Sequence, residues 1–227
     1  AHPGAPRLGR RADGLDVADE GSLQVEDQEA GEPVALVRDV PLPRLVEHDA
    51  QAVTEADIEI KTPDGTCDAY FVRPASGAHA AVLVWPDIFG LRDPFRLMGK
   101  RLAESGYAVL TVNPFYRVQK APTAPPKANF QDPATRESLM KLAGGLNATT
   151  HVTDARAFIA WLDARPEVDK KRKIGTTGYC MGGPIVFRTA GNFPDRVGAG
   201  ASFHGGGLNT TAPDSPHLLI PKMKASM

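Results

Sequence analysis

The chain has 227 residues, 42% of them hydrophobic, and a net charge of −1, enough for one large α/β domain with its own core. Residues 1–58 carry 5 Lys/Arg against 13 Asp/Glu, and the remainder carry 21 against 14. No apolar run approaches the ~18–20 residues that span a bilayer, and no aromatic residues interleave the basic ones as single-strand nucleic-acid binding requires, so membrane and nucleic-acid partners are not expected.

Residues 1–54 are acidic, rich in Gly, Pro, Ala and Asp, with short apolar clusters such as Val34-Ala35-Leu36-Val37. Such a stretch buries too little apolar surface to offset the entropy of ordering. It reads as a tail or linker with at most one strand that docks on the body, and residues 55–227 read as the α/β domain. Asp57-Ile58-Glu59-Ile60-Lys61 alternates with the period of a half-buried strand. Thr62-Pro63-Asp64-Gly65 is a turn, since Pro63 presets φ and Gly65 accepts positive φ. Cys67 to Val72 returns, completing a hairpin in which Cys67 is a packing residue. Ala80 to Trp85 is a continuous apolar run, the pattern of a buried parallel strand.

After the loop Pro86–Arg92, Asp93 is a suitable N-cap and Pro94 suits the first helical position. Phe95, Met98 and Leu102 then share one helical face, and Gly106 ends the helix. Tyr107 to Val112 is the next strand. The loop Asn113–Lys127 is long and Pro-rich, and loops of that length in a compact domain are usually functional or mobile. A helix follows near Pro133–Leu142. Asn147 caps another, with Val152, Ala155, Ile159 and Leu162 as its stripe and His151 expected at its surface or boundary. The basic run Lys170-Lys171-Arg172-Lys173 reads as a solvated loop. Strands at Lys173–Thr177 and Ala199–Phe203 flank a helix at Gly182–Thr189. Strands alternating with helices imply an α/β fold, a mostly parallel sheet flanked by helices.

Chemistry concentrates at Gly178-Tyr179-Cys180-Met181-Gly182-Gly183. A strand, a sharp turn with a nucleophile at its tip and then a helix form the elbow of acyl-transfer enzymes. Residues two away from the tip must lack bulky side chains there. The alternative is a buried, inert cysteine in a Gly-rich turn. Two cysteines are too few for a disulfide framework and have no metal-ligand spacing, so no metal is expected, and a reducing, cytoplasmic setting is.

The elbow, together with Trp85-Pro86-Asp87-Ile88-Phe89-Gly90-Leu91 and Asn113-Pro114-Phe115-Tyr116-Arg117, resembles the dienelactone hydrolase family of the α/β-hydrolase fold over about residues 56–220. The resemblance implies a cofactor-free hydrolase that cleaves small-molecule enol-lactones or related esters with a Cys-His-Asp triad. Cys180 matches the nucleophile, and the backbone N–H groups of Met181 and Ile88 match the oxyanion hole. Asp87 falls where the family commonly places a Glu that meets the thiol; the other reading is a loop Asp that caps backbone. Arg117 matches an arginine that binds the substrate carboxylate, against a solvent-facing loop arginine. His204 falls where the family has a pocket-lining residue and is a candidate substitute base.

The family order places a triad Asp and then a His after the nucleophile, on later strands. Here Asp195, Asp214, His204 and His217 are the candidates in that stretch. None has the required crossover between acid and base, so the chain is expected to lack the triad Asp and His, as a domain whose C-terminal strands are missing, and to hydrolyse esters poorly. A general carboxylesterase or thioesterase, and a catalytically inactive ligand- or partner-binding domain, remain as alternatives.

Overall fold

The protein is described by a computed structural model over residues 50–227, so the expectation of a tail with a docking strand falls almost wholly outside the described residues. The predicted hairpin forms from β1 (Val53–Thr62) and β2 (Gly65–Pro74), paired antiparallel across the Thr62–Gly65 turn. Gly65 takes φ +143°, the conformation the turn reading required. β2 then pairs antiparallel with β4 (Ala108–Val112).

From β4 onward the sheet is parallel. β3 (Ala81–Trp85) lies between β4 and β5 (Ile174–Tyr179), and β6 (Val197–Phe203) follows β5, giving the order β1-β2-β4-β3-β5-β6. β3 and β4 are buried at every residue, as parallel strands covered on both faces must be. Beyond β6, the Gly200 N–H donates to the Ser226 carbonyl at 2.7 Å and the Ser226 N–H to Gly198 at 3.2 Å, so the chain runs parallel to β6 there.

Helices cover the two faces. On one lies α1 (Asp93–Glu104), with Phe95 and Ala103 packed against Val72, Val84 and Val109. Its N-cap is Arg92 rather than Asp93, one residue earlier than the sequence suggests; Asp93 instead sits in the first turn, where its charge complements the helix dipole. On the other face lie α3 (Ala148–Asp163) and α4 (Gly182–Asn192), enclosing Trp85, Phe158, Leu162 and Ile185. Asn147 caps α3 as expected, accepting from the N–H groups of Thr149 and Thr150 at 2.9 and 3.1 Å. The shorter α2 (Pro133–Ala143) buries Leu139 and Leu142 against Phe115 of the long loop. No helix among the described residues is long and apolar enough to cross a membrane.

His151 corrects the reading of a surface or boundary histidine. It is 7% exposed and its Nδ1 lies 3.2 Å from Arg188 Nη1 on α4. Burial, with Arg188 and Arg117 adding repulsion, pushes its pKa down to about 3 from an ordinary 6.5. Cys67 packs in the core as the sequence implies, its thiol reaching the Asn113 carbonyl at 3.4 Å. Burial pushes that thiol well above the usual range.

Candidate active site

The elbow forms because three backbone segments meet where no side chain fits. A Cβ on Gly178 would stand 2.3 Å from the Gly182 carbonyl oxygen, and one on Gly182 would stand 2.3 Å from that of Trp85. Glycine at both positions lets the end of β5, the start of α4 and the end of β3 touch. Cys180 between them adopts φ +51°, a left-handed conformation that a non-Gly residue holds only when its surroundings fix it. They do: the Cys180 N–H donates to the Phe203 carbonyl at 2.9 Å, and its own carbonyl accepts from Gly183 at 3.0 Å. The residue is exposed, which removes the buried-cysteine alternative.

The facing wall is the loop after β3. The Asp87 carboxylate accepts the Phe89 N–H at 2.9 Å and both Arg92 Nη groups, at 2.6 and 2.8 Å. Arg92 also lies over the rings of Phe89 and Phe95, at 5.2 and 5.0 Å. The Phe89 carbonyl is in turn held by Thr123 Oγ1 of the Pro-rich loop at 3.1 Å. Phe130, from the same long connection, packs edge-on against Phe89 with centroids 6.4 Å apart. This wall borders an open pocket of about 370 Å³, lined by Cys180 and Met181 of the elbow, by Asp87, Ile88 and Phe89 of the loop, and by Phe130 and Gly206.

Four of the sequence-predicted site residues, Cys180, Met181, Ile88 and Asp87, therefore share one pocket. Among the described residues no acceptor takes the N–H of Met181 or of Ile88, and Met181 is the N-cap of α4. A helix N-terminus with unpaired amides favours negative charge beside it. Asp87 shares the pocket with Cys180 while its oxygens are occupied by Arg92 and the Phe89 N–H.

Arg117 lies apart from these four. It does not line the pocket. Its Nη1 and Nη2 bond both oxygens of Asp154 on α3, at 2.8 and 2.7 Å, and its Nε and Nη2 reach Asp64 of the hairpin turn, at 3.0 and 2.6 Å. Burial works against its charge, but the bonds from Asp154 and Asp64 hold its pKa above the ordinary value. Asp154 is 2% exposed and also accepts from Tyr116 Oη at 2.8 Å. Four of its five N–H groups are taken by the two carboxylates, which leaves no bidentate edge for a ligand.

His204 is exposed, with φ +56°, and does not line the pocket. Among the described residues no side chain hydrogen-bonds the Cys180 thiol. The other candidates are engaged elsewhere: Asp195 with Lys224 Nζ at 2.5 Å, Asp214 beside Arg188 at 3.7 Å, and His217 Nδ1 with Ser215 Oγ at 2.8 Å. No cluster among the described residues could hold a metal ion.

Sequence reading missed Phe89 and Phe130 as pocket walls. Phe89 sits in a motif already singled out, but Phe130 lies in a Pro-rich connection without periodicity. It missed Asp154 and set His151 too near the surface, although His151 precedes Ala155, and Asp154 precedes Phe158, by the four residues of a shared buried face.

Comparison with known proteins gives one consistent result. Residues 67–227 match the profile of the dienelactone hydrolase family. The carboxymethylenebutenolidase of Pseudomonas putida is 27% identical over 168 residues, 73% of this chain and 67% of that enzyme. A carboxymethylenebutenolidase-type protein of Synechocystis sp. is 32% identical over 148 residues, 63% of this chain. The chain spans 56% of that relative and 63% of a similar protein of Methylorubrum extorquens. Among solved structures, one of dienelactone hydrolase type from Klebsiella pneumoniae subsp. pneumoniae has a TM-score of 0.64 at 23% identity, covering 77% of this chain and 70% of its own. The metagenomic P91, a dienelactone hydrolase-like promiscuous phosphotriesterase, has a TM-score of 0.57 at 27% identity, covering 72% and 64%.

Proposed function

Since the chain belongs to the dienelactone hydrolase family, we propose that it cleaves carboxylic ester or lactone bonds through Cys180. One observation carries this reading: an exposed cysteine held at positive φ between two obligatory glycines, at the N-terminus of α4, opening on a pocket that contains Met181 and Ile88.

The thiol loses its proton to solvent and the sulfur adds to the carbonyl carbon. The carbonyl electron pair moves to oxygen, which the N–H groups of Met181 and Ile88 stabilise; one such donor contributes about 3 kcal/mol in comparable sites. Collapse breaks the carbon–oxygen bond, and the leaving alkoxide takes a proton from water. Water then attacks the thioester, releasing the acid and restoring the thiol. Asp87 shapes the loop that presents Ile88. No base stands beside the thiol among the described residues, so deacylation is the slow step and an acyl-Cys180 species accumulates.

The test is p-nitrophenyl acetate with the 227-residue chain. A burst of p-nitrophenolate stoichiometric with protein, followed by slow turnover, is expected, with an acetyl group on the Cys180 peptide by mass spectrometry. Equal release from a Cys180→Ala variant overturns the assignment. Location in the cytoplasm and residues 55–227 as the catalytic domain belong to the same proposal.

A further inference from the structure

Among the described residues, none that lines the pocket beside Cys180 is a cation. Of its lining residues only Asp87 is charged, and its carboxylate already carries Arg92 on both oxygens. The remaining surface comes from Ile88, Phe89, Phe130, Met181 and a glycine. Arg117, the arginine that the sequence offers for a substrate carboxylate, is held by Asp154 and Asp64 outside the pocket. Its withdrawal is built in: Asp154 is buried, and pulling Arg117 away would leave that carboxylate with Tyr116 alone.

Other cations lie near but not in the pocket. Arg92, Arg96 and Lys127 line a neighbouring hollow that has only Phe89 in common with it. Arg92 is paired with Asp87, and Arg96 with Asp57 at 2.6 Å. A carboxylate seated against Cys180 would face an aspartate whose own partner is already committed and, among the described residues, find no donor in the pocket except the amides that the carbonyl oxygen needs. An uncharged flat group meets the edge-on pair of Phe89 and Phe130 and the thioether of Met181, contacts that favour aromatic and other apolar surfaces. The volume, about 370 Å³, is at the small end of the roughly 300–1,000 Å³ typical of small-molecule sites.

We propose that the site selects esters whose group seated beside Cys180 is uncharged and apolar, of aromatic-ring size, and discriminates against the carboxylate-bearing substrates that the motif resemblance implies, with Phe130 and Phe89 as the specificity-determining side chains. This rests on the reading of Cys180 as nucleophile. Phe130 is the more exchangeable of the two, since it is half-buried in a connection outside the sheet and the helices.

The experiment compares acylation of Cys180 by 4-nitrophenyl phenylacetate and by its 4-carboxy analogue on the acyl ring. The neutral ester is expected to acylate faster by about tenfold, the cost of seating a charge against an apolar wall without a partner. Phe130→Ala should lower the neutral ester's rate and shrink the ratio. Phe130→Arg, which supplies the missing cation, should raise the carboxylate ester's rate. Equal or faster acylation by the carboxylate ester overturns the proposal while leaving Cys180 as nucleophile.

If neither ester acylates Cys180, the nucleophile reading fails, and alkylation, which needs no catalysis, still decides the pocket's character. Benzyl bromide should then alkylate Cys180 faster than 4-(bromomethyl)benzoate, whose ring carries the carboxylate past the amides of Met181 and Ile88 to the aromatic wall, beyond the ratio measured with glutathione, and Phe130→Arg should reverse that excess. A ratio equal to glutathione's overturns the proposal.

Discussion

Lowering the pH isolates one buried group. Folded His151 has its pKa pushed down to about 3 by burial and by Arg188, from an ordinary 6.5. Between those values the unfolded chain binds a proton at this residue that the folded chain refuses. Stability is therefore unaffected above about pH 6.5 and falls as pH drops toward 3. Integrating the difference in proton uptake from pH 7.5 to pH 5.0 gives about 2 kcal/mol for this residue alone. His151→Gln removes the titration and keeps an amide oxygen to accept from Arg188 Nη1. Urea unfolding of both proteins at the two pH values gives the assay. The parent should lose about 2 kcal/mol more than the variant on going to pH 5.0. Parallel losses, equal within about 0.5 kcal/mol, would refute the argument that the imidazole is neutral and unable to protonate in place.

Three further outcomes follow from contacts already described. Gly182→Ala puts a Cβ 2.3 Å from the Trp85 carbonyl oxygen, a backbone overlap with no side chain to yield; a loss of more than about 3 kcal/mol in denaturant unfolding is expected. Arg117→Met strands buried Asp154 and should cost about 3–5 kcal/mol, whereas Asp64→Asn, at a carboxylate 42% exposed, should cost under about 1 kcal/mol. Equal losses from these two would show that burial does not govern the cluster. Thiol titration with a disulfide reagent should count one reactive cysteine per folded chain and two in denaturant, because Cys67 is buried and Cys180 exposed. A second fast thiol in the folded protein would contradict the packing of β2.

The sheet was legible because its strands carry their own signals. Ala81–Trp85 and Ala108–Val112 are uninterrupted apolar runs, and the hairpin alternates around a Pro-Asp-Gly turn. The elbow was legible for a different reason: a steric demand writes glycine at two fixed offsets. The fate of Arg117 was not legible. Its partners lie 37 and 53 residues away, one on α3 and one in the hairpin turn, and no local pattern reports such a distance. Asp154 and His151 lie on the face of α3 that also buries Ala155, Phe158 and Leu162. Polar residues there break the apolar periodicity from which a buried face is recognised, so the stripe was read as narrower than it is. Phe130 was invisible because a Pro-rich connection gives a side chain no predictable direction.

The clearances that shape the elbow lie in its flanks, at Gly178 and Gly182, where main chain abuts main chain. The apex residue contributes almost nothing to that fit. Exchanging sulfur for oxygen at Cys180 should thus leave the chassis standing, and any rate lost in a Cys180→Ser protein reports reactivity rather than misfolding. The same independence makes this apex a convenient mounting point for other reactive groups, for which the surrounding main chain needs no redesign.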